Sequence, residues 1–456
     1  MQIIVEGSKP IKRLIEQKYY ENRQYVPSKF QLRLETDKGM LVCNTLTGGV
    51  VLLSVEEKDI LLGKAQKNGQ IVKELLKQGL LVPKNCDEIK RCEQLRAILI
   101  KRQEAQHIID HYNILPTTGC NAKCFYCYES NLRHISMSME TAERLVEFIY
   151  KNHGGKRVLL SWFGGEPTLG VRQIDYICER LRQLKVPYDS EMVSNAYLFD
   201  SNLVEHAKSY WNLNNIQITL DGTEKVYNRT KAYVAIKDNA YQRVLRNIKL
   251  FLDENINVNI RLNMDNHNVQ DLRDLIDELT DRFQGEKHLA IYVRLLKEGA
   301  GFSPIEHNDE NLRELRSQFL EMQNLLEKNG WKQIWRFSIP KLRSFTCMAD
   351  NPCSVQCTPE GVLSKCEDYI YEHTVGTLTD GVNNENEMHW WRQRIKHDEC
   401  ESCVLYPSCT YLLKNCPTRP SRCNVSERNH RIQLCYEKML DALEQWKHSK
   451  NTEVRE

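Results

Sequence analysis

Three thiols crowd into eight residues, Cys120-Asn-Ala-Lys-Cys124-Phe-Tyr-Cys127. Three thiolates at this spacing converge on one metal centre and leave a coordination position open. A structural zinc site normally closes with four protein ligands, whereas a [4Fe–4S] cluster held by three cysteines keeps one iron free for a substrate. On this loop alone zinc and iron–sulfur stand level, with half a zinc ribbon as the plainer alternative. A second thiol-rich region reads Cys347-x5-Cys353-x12-Cys366, then Cys400-x2-Cys403-x5-Cys409-x6-Cys416, and finally Cys435, with Cys357 and Cys423 outside the pattern. Here too Cys400-x2-Cys403 is compatible with half a zinc ribbon. Of the 17 cysteines, Cys43, Cys86, Cys92 and Cys178 stand alone and read as small buried hydrophobes.

Other polar groups sit where strands end. In Trp162-Phe163-Gly164-Gly165-Glu166-Pro167 the two glycines let the backbone approach a ligand closely, and Glu166 offers an acceptor for an ammonium group. Taken alone, Gly-Gly is an ordinary strand-ending turn. Ser194 and Asn195, Thr219 and Asp221, and Arg261 follow at later strand ends. Singly each is an ordinary strand-end residue; together they describe a polar pocket beside an open-sited cluster.

The elements that must position these groups alternate. From about residue 108, six strand candidates (IIDHYNILP, RVLLSWF, EMVSNA, NIQITLDG, NVNIRLNMD, HLAIYVRLL) are interleaved with amphipathic stretches such as METAERLVEFIYKN, VRQIDYICERLRQL, YQRVLRNIKLFLDEN and NVQDLRDLIDELTDRF. This β-α alternation predicts an α/β fold, a partial (β/α)6 TIM-type barrel over residues 108–309, with function at the carboxyl ends of its strands. Residues 1–84 read as a small α+β unit with strands in FQLRLETDKGMLVCN and GGVVLLS, a capping box at Ser54-Val-Glu-Glu57, a helix in IVKELLKQG and a short LLVP strand. That order predicts a winged-helix-like domain. Residues 85–107 predict a charged linker helix, 310–340 a bridging helical region, and 341–456 a cysteine-rich domain closed by a helix in QLCYEKMLDALEQW.

Composition limits the setting. The chain has 456 residues, 41% hydrophobic and 27% charged, a globular balance that exceeds one ordinary core. A net charge of +2 gives no global basic footprint, so nucleic acid is not the expected partner. No apolar run reaches a membrane span and the start lacks a signal-peptide core, so a cytoplasmic protein with free thiols is expected and no membrane partner.

At this point the sequence resembles the radical S-adenosylmethionine (SAM) superfamily. Its cysteine signature is matched by Cys120, Cys124 and Cys127 with Tyr126 before the last, and its Gly-Gly-Glu-Pro motif by Gly164, Gly165, Glu166 and Pro167. The resemblance implies a [4Fe–4S] cluster whose open iron is chelated by SAM, and cleavage of SAM to a 5′-deoxyadenosyl radical. It places Ser194, Asn195 and Arg261 among SAM contacts, although Ala196 stands where the family usually has glycine. The later cysteines resemble the SPASM extension of peptide- and protein-modifying members. The resemblance then implies two auxiliary [4Fe–4S] clusters, three in all, one held by Cys347, Cys353, Cys366 and Cys416, the other by Cys400, Cys403, Cys409 and Cys435. Six residues precede Cys416 where the family commonly has three, so Cys423 in its place, or an open position, stays possible on this template. By likeness to sulfatase maturases, Glu367 or the adjacent Asp368 is a base. Residues 1–84 resemble leader-recognition domains, which implies a ribosomally made precursor peptide with a leader as partner, and a flavodoxin or ferredoxin as electron donor. The expected reaction is thioether formation; carbon–carbon crosslinking, epimerisation and sulfatase-type cysteine oxidation share the machinery, and a non-enzymatic zinc scaffold is the alternative of another class.

Overall fold

The computed structural model describes residues 1–66, 68–234, 238–296, 309–331, 338–410, 412–417 and 425–453. The chain divides into two compact units, Met1–Gln106 with Arg336–Asn351 and Trp390–Glu456, and His107–Trp335 with Pro352–His389.

The first unit opens with β1 (Gln2–Val5), α1 (Lys9–Ile15), β2 (Tyr25–Pro27), β3 (Gln31–Thr36), β4 (Gly39–Asn44), β5 (Gly49–Leu53), α2 (Val55–Leu61), α3 (Gly69–Lys77), β6 (Leu81–Pro83) and α4 (Glu88–Glu104). An antiparallel sheet runs β1-β5-β4-β3, and β2 pairs with β6 separately. The expected capping box forms, Ser54 and Glu57 exchanging side-chain and backbone hydrogen bonds at the start of α2. Strand β1, helix α1 and strand β2 add to the predicted order. β1 is too short and its pattern too exposed to announce itself; it forms by pairing antiparallel with the buried β5. The closing helix, Val425–Glu453, is longer than its apolar stripe suggested, and it packs against β1 and β3.

The second unit is built on six parallel strands, β7 (His111–Thr117), β8 (Val158–Gly164), β9 (Tyr188–Ser194), β10 (Leu213–Leu220), β11 (Asn257–Met264) and β12 (Leu289–Leu295), each neighbouring the next in chain order. All six overlap the predicted segments, β9 beginning three residues before its own and β10 two. Between them run α5 (Met139–Asn152), α6 (Val171–Gln183), α7 (Ser201–Ser209), α8 (Glu224–Lys231), α9 (Ala240–Asp253) and α10 (Val269–Phe283), and α11 (Asp309–Lys328) follows β12. Helices α7 and α8 are short and mostly polar, and for that reason carried no clear periodic signal. Beyond β7 the sheet continues through β13 (Ser354–Cys357), β14 (Val362–Ser364), β15 (Gly376–Thr377) and β16 (Gly381–Val382), β13 lying parallel to β7.

Strands of a parallel sheet usually read as continuous apolar runs because both faces are covered. In β8, β9, β10 and most of β11 burial instead alternates, while β7 is buried almost throughout. Leu160, Trp162, Met192, Ile216, Ile218, Val258 and Ile260 are buried on one face. The opposite face carries Ser161, Glu191, Gln217 and Arg261, all half-buried, cross-linked from Ser161 Oγ to Glu191 (2.6 Å) and from Tyr292 Oη to Gln217 (2.6 Å). A half-buried polar face on such a sheet is suited to a polar ligand.

The loop after β9 is pinned from the core. Asn247 on α9 is buried, and its side-chain amide donates to the carbonyls of Ala196 (2.8 Å) and Phe199 (2.9 Å). Asn247→Leu keeps the volume but strands two buried carbonyls, so denaturant unfolding should show a loss of about 2–4 kcal/mol with an unchanged m-value. A loss too small to measure would show that these bonds do not hold the loop.

Candidate active site

Parallel strands end on one edge, so the loops that follow them gather there. The register pairs Thr117 with Gly164 and Thr219 with Arg261, which brings the 120–127 loop, the Gly-Gly-Glu-Pro turn, Ser194-Asn195 and Asp221 to the same carboxyl edge. Thr219 and Arg261 lie side by side on the polar face, one residue short of it.

The glycines of the turn make room for another stretch of backbone. A Cβ on Gly164, whose φ is +100°, would stand 2.4 Å from the carbonyl oxygen of Thr117, and one on Gly165 would stand 2.2 Å from that of Gly119. What approaches closely is the chain leading into the cysteine loop. Backbone hydrogen bonds seal the contact, Gly165 N–H to Thr117 O (3.2 Å) and Glu166 N–H to Gly119 O (2.8 Å).

Glu166 is fully buried, and the carboxylate that the sequence offers to an ammonium group is occupied by protein donors. It accepts from Thr168 N–H (3.2 Å) and Oγ1 (2.6 Å), from Ser194 Oγ (2.8 Å) and from Asn195 N–H (2.9 Å). Burial pushes its carboxyl up against the opposing pull of these donors. Asn195 carries the tie onward, its amide donating to Asn121 Oδ1 (2.7 Å) inside the cysteine loop. The Asn121 amide nitrogen is itself buried without a protein partner, an orphaned donor beside Cys120.

Cys120, Cys124 and Cys127 are half-buried free thiols. Backbone amides point at two of them: Ala122 N–H lies 3.4 Å from Cys120 Sγ, and Glu129 N–H donates to Cys127. Burial, with Glu166 nearby, pushes the Cys120 thiol up to about 12. Amide donors aimed at sulfur together with a penalty on the bare thiolate fit a ligand set that a metal group completes, and three thiols fit a [4Fe–4S] cluster with an open iron. Among the described residues, no three Cys, His, Asp or Glu side chains are drawn close enough to hold a single metal ion; an iron–sulfur cluster spaces its thiolates more widely than one ion does.

A second knot surrounds Tyr126. Its hydroxyl lies 2.9 Å from both Asp221 carboxylate oxygens, and Lys231 Nζ, at the end of α8, lies 3.0 Å from that hydroxyl and 3.0 Å from Asp221 Oδ2. Asn263 donates to Asp221 Oδ1 (2.9 Å), and Arg261 Nε donates to Asn263 (2.8 Å). Asp221 and Lys231 are both almost wholly buried. Burial alone would lower Lys231, but Asp221, Tyr126 and Cys124 outweigh it and hold the ammonium charged. The sequence had singled out Tyr126, Asp221 and Arg261 separately; the structure joins them. Lys231 and Asn263 were missed because neither sits in a motif, and Asn121 because the cysteine spacing around it makes no demand on its side chain. The only hint was a cation at a helix end shortly after a strand-end aspartate.

Glu129 was missed as well. It is buried, neither carboxylate oxygen has a hydrogen-bond partner, and burial together with the charge of Glu367 pushes it up to about 7. Glu367 therefore stands within electrostatic reach of the cysteine loop.

The other predicted ligands divide between the units. Cys400, Cys403, Cys409 and Cys435 all belong to the first; Cys400 is buried in a core against which Cys403 and Cys409 pack, and Cys403 also packs on the core that holds Cys435. Cys347 and Cys416 belong to the first unit, Cys353 and Cys366 to the second. Cys423 lies outside the described residues.

Two substitutions probe this geometry. Gly165→Ala should lower the melting temperature by several degrees and prevent reconstituted iron from binding at the first cluster, because the new methyl overlaps the Gly119 carbonyl. Ala196, at φ +60°, occupies the left-handed region that glycine favours, so Ala196→Gly should be tolerated within about 1 kcal/mol; a larger loss in thermal unfolding would contradict this.

Residues 114–279 match the family model described as the Radical SAM superfamily. The radical SAM cyclopropyl synthase TigE of Paramaledivibacter caminithermalis is 23% identical over 201 residues, 37% of this chain and 41% of TigE, so the chain spans about two fifths of that relative's length. Among solved structures, native anSMEcpe with bound AdoMet aligns at a TM-score of 0.56 and 16% identity, over 74% of this chain and 99% of that one. SuiB of Streptococcus suis aligns at 0.51 and 16%, over 88% and 100%. At such identities the structures speak for the fold, an α/β core with a cysteine-rich region after it. No helix among the described residues is long and apolar enough to cross a membrane. The cysteine loop and the Gly-Gly-Glu-Pro turn both lie inside the matched residues, so residues 114–279 form a radical SAM enzyme domain.

Proposed function

We propose that this enzyme is a peptide maturase, acting on a ribosomally made precursor peptide and joining a cysteine sulfur of that peptide to a carbon of another residue. The observation that carries the reading is the meeting of the 120–127 loop with the Gly-Gly-Glu-Pro turn on one sheet edge. Cys120, Cys124 and Cys127 would hold the SAM-binding [4Fe–4S] cluster, with Tyr126, residues 164–167, Ser194, Asn195, Thr219, Asp221 and Arg261 around the SAM. When bound, these groups supply a 5′-deoxyadenosyl radical that takes a hydrogen atom from a substrate carbon.

The chain's own share is to bind, orient and exclude. The polar sheet face of Ser161, Glu191, Gln217 and Arg261 offers hydrogen bonds to a peptide, while the apolar face behind it keeps water from the core. Glu367 is the candidate base for the substrate thiol. Thioether formation removes a hydrogen atom from carbon and a proton with one electron from the thiol. The proton would go to the base, and an iron–sulfur group, which Cys400, Cys403, Cys409 and Cys435, or Cys347, Cys353, Cys366 and Cys416 (or Cys423), would hold, would supply an acceptor for the electron.

Support for a peptide substrate comes from the N-terminal unit. Residues 1–84 would serve as a winged-helix-like leader-recognition domain; their antiparallel sheet has β3 as an edge strand. A leader added along such an edge gains main-chain hydrogen bonds without needing charge. SuiB, which aligns over 87% of this chain at a TM-score of 0.50 and 15% identity, was solved bound to its precursor peptide SuiA. A second reading, carbon–carbon bond formation, is favoured by the name of TigE, a cyclopropyl synthase.

Anaerobic purification should give about twelve iron and twelve sulfide per chain if three clusters assemble, and replacing Cys120, Cys124 and Cys127 together by alanine should remove about four of each. A zinc-only protein ends the reading. Incubation with the small peptide encoded beside this gene should then remove two hydrogens per crosslink by mass spectrometry. If thioethers form, alkylation finds fewer free thiols; if carbon–carbon bonds form, the thiols remain. Unmodified peptide with intact SAM would contradict both.

A further inference from the structure

Lys231 closes a strap over the cysteine loop. Its carbonyl accepts from Lys123 N–H (2.8 Å), and two residues beyond Ala232, which turns the chain at φ +43°, Val234 N–H donates to Asn121 O (2.8 Å). Tyr233 Oη reaches Asn195 O (3.4 Å) and Tyr227 Oη (2.8 Å). The backbone of this strap thus grips the loop at Asn121 and Lys123, between Cys120 and Cys124, and the Lys231 side chain adds a buried charge beside it.

That charge is buried with a single carboxylate beside it. Lys231 is 3% exposed and Asp221 2%, and they are 3.0 Å apart with the Tyr126 hydroxyl touching both. The Lys231 ammonium also stands over the rings of Tyr126 (5.6 Å) and Tyr227 (5.8 Å), and it is near enough to Cys124 and Cys127 to act on their thiols. A buried ion pair is rarely retained for stability, because desolvating two charges offsets most of their attraction. Holding the loop in shape would need only the backbone bonds already present.

We infer that Lys231 and Asp221 act as a buried charge pair that sets the reduction potential of the cluster held by Cys120, Cys124 and Cys127, with Lys231 a positioning residue that also fixes Tyr126 beside it. The inference rests on the proposed iron–sulfur reading of that loop. A buried cation favours the reduced, more negative cluster, and a buried anion favours the oxidised one. The two partners therefore pull the potential in opposite directions, which no purely structural role would do.

The test uses the anaerobically reconstituted enzyme. Potentiometric titration, followed by electron paramagnetic resonance of the component that changes when SAM is added, reports the potential of this cluster apart from any others. Lys231→Met should lower the potential, Asp221→Asn should raise it, and the double variant should return towards the wild-type value. Lys231→Arg should keep the wild-type potential, and equilibrium dialysis should show its SAM affinity unchanged within about 3-fold. Shifts of the same sign in both single variants, or none in either, would overturn the inference while leaving the cluster itself in place. Wild-type enzyme without an iron–sulfur signal would overturn the inference together with the reading beneath it. Should Lys231→Met fail to fold, the upward shift in Asp221→Asn, set against Lys231→Arg, still decides.

Discussion

Two stretches of backbone, residues 117–119 and 164–165, run so close together that neither glycine of the turn has room for a Cβ, and much of the site's order follows from that contact. Adjacent parallel strands end side by side, so the exits from β7 and β8 compete for the same space. With glycines there, the two exits zip together by hydrogen bonds, and the next residue, Glu166, is carried behind them into a fully buried position. A buried carboxylate must be satisfied, and its donors come from the turn itself and from the end of β9. Asn195 then returns the connection to Asn121. Loop, turn and third strand form a closed circuit, so a disturbance at any one of them is felt at the cysteines.

The fourth and fifth strands contribute through charge rather than close approach. Asp221 collects Tyr126, Lys231 and Asn263, and Arg261 leans on Asn263. Between them, the two circuits reach the cysteine loop from opposite sides of its sequence, at Asn121 and at Tyr126. Three thiols on an unsupported loop would be free to spread; held at both points, they are presented with their geometry already restricted, which lowers the entropic cost of assembling a cluster.

Much of this frame was legible in the sequence because its signals are local. Strands β8, β9 and β10 carry alternating burial, and α5, α6, α9 and α10 carry apolar stripes strong enough to read. The thiol spacing and the Gly-Gly-Glu-Pro run are contiguous. What was not legible depends on partners far apart in the chain. Lys231 gains its meaning from Asp221 and Tyr126, 105 residues away from the latter. Strand β1 exists because β5 supplies its pairing. The close approach of the turn's glycines to residues 117–119 was not legible either, since no sequence signal reveals which backbone lies beside them.

The solitary cysteines show the same limit from the other side. Cys43 and Cys92 look isolated in the sequence and are buried as expected, while Cys86 is only half-buried. Yet Cys92 shares a core with Cys400, and Cys43 shares one with Cys435. Proximity alone then does not separate the proposed ligands from the solitary thiols. Cys43 sits inside β4, paired on one side with Leu32 and on the other with Val50, so moving its sulfur towards a cluster means breaking a ladder on both sides. Cys92 is within α4, similarly held by its helical hydrogen bonds. Cys400, in contrast, lies in a short 3-10 turn, and Cys403 and Cys409 each immediately follow one, where the last turn's bonds are few and small φ/ψ changes redirect a side chain. Cys435, the fourth thiol proposed with them, sits inside the closing helix as Cys92 sits inside α4, so backbone freedom sets apart three of the four thiols and spacing alone singles out the last.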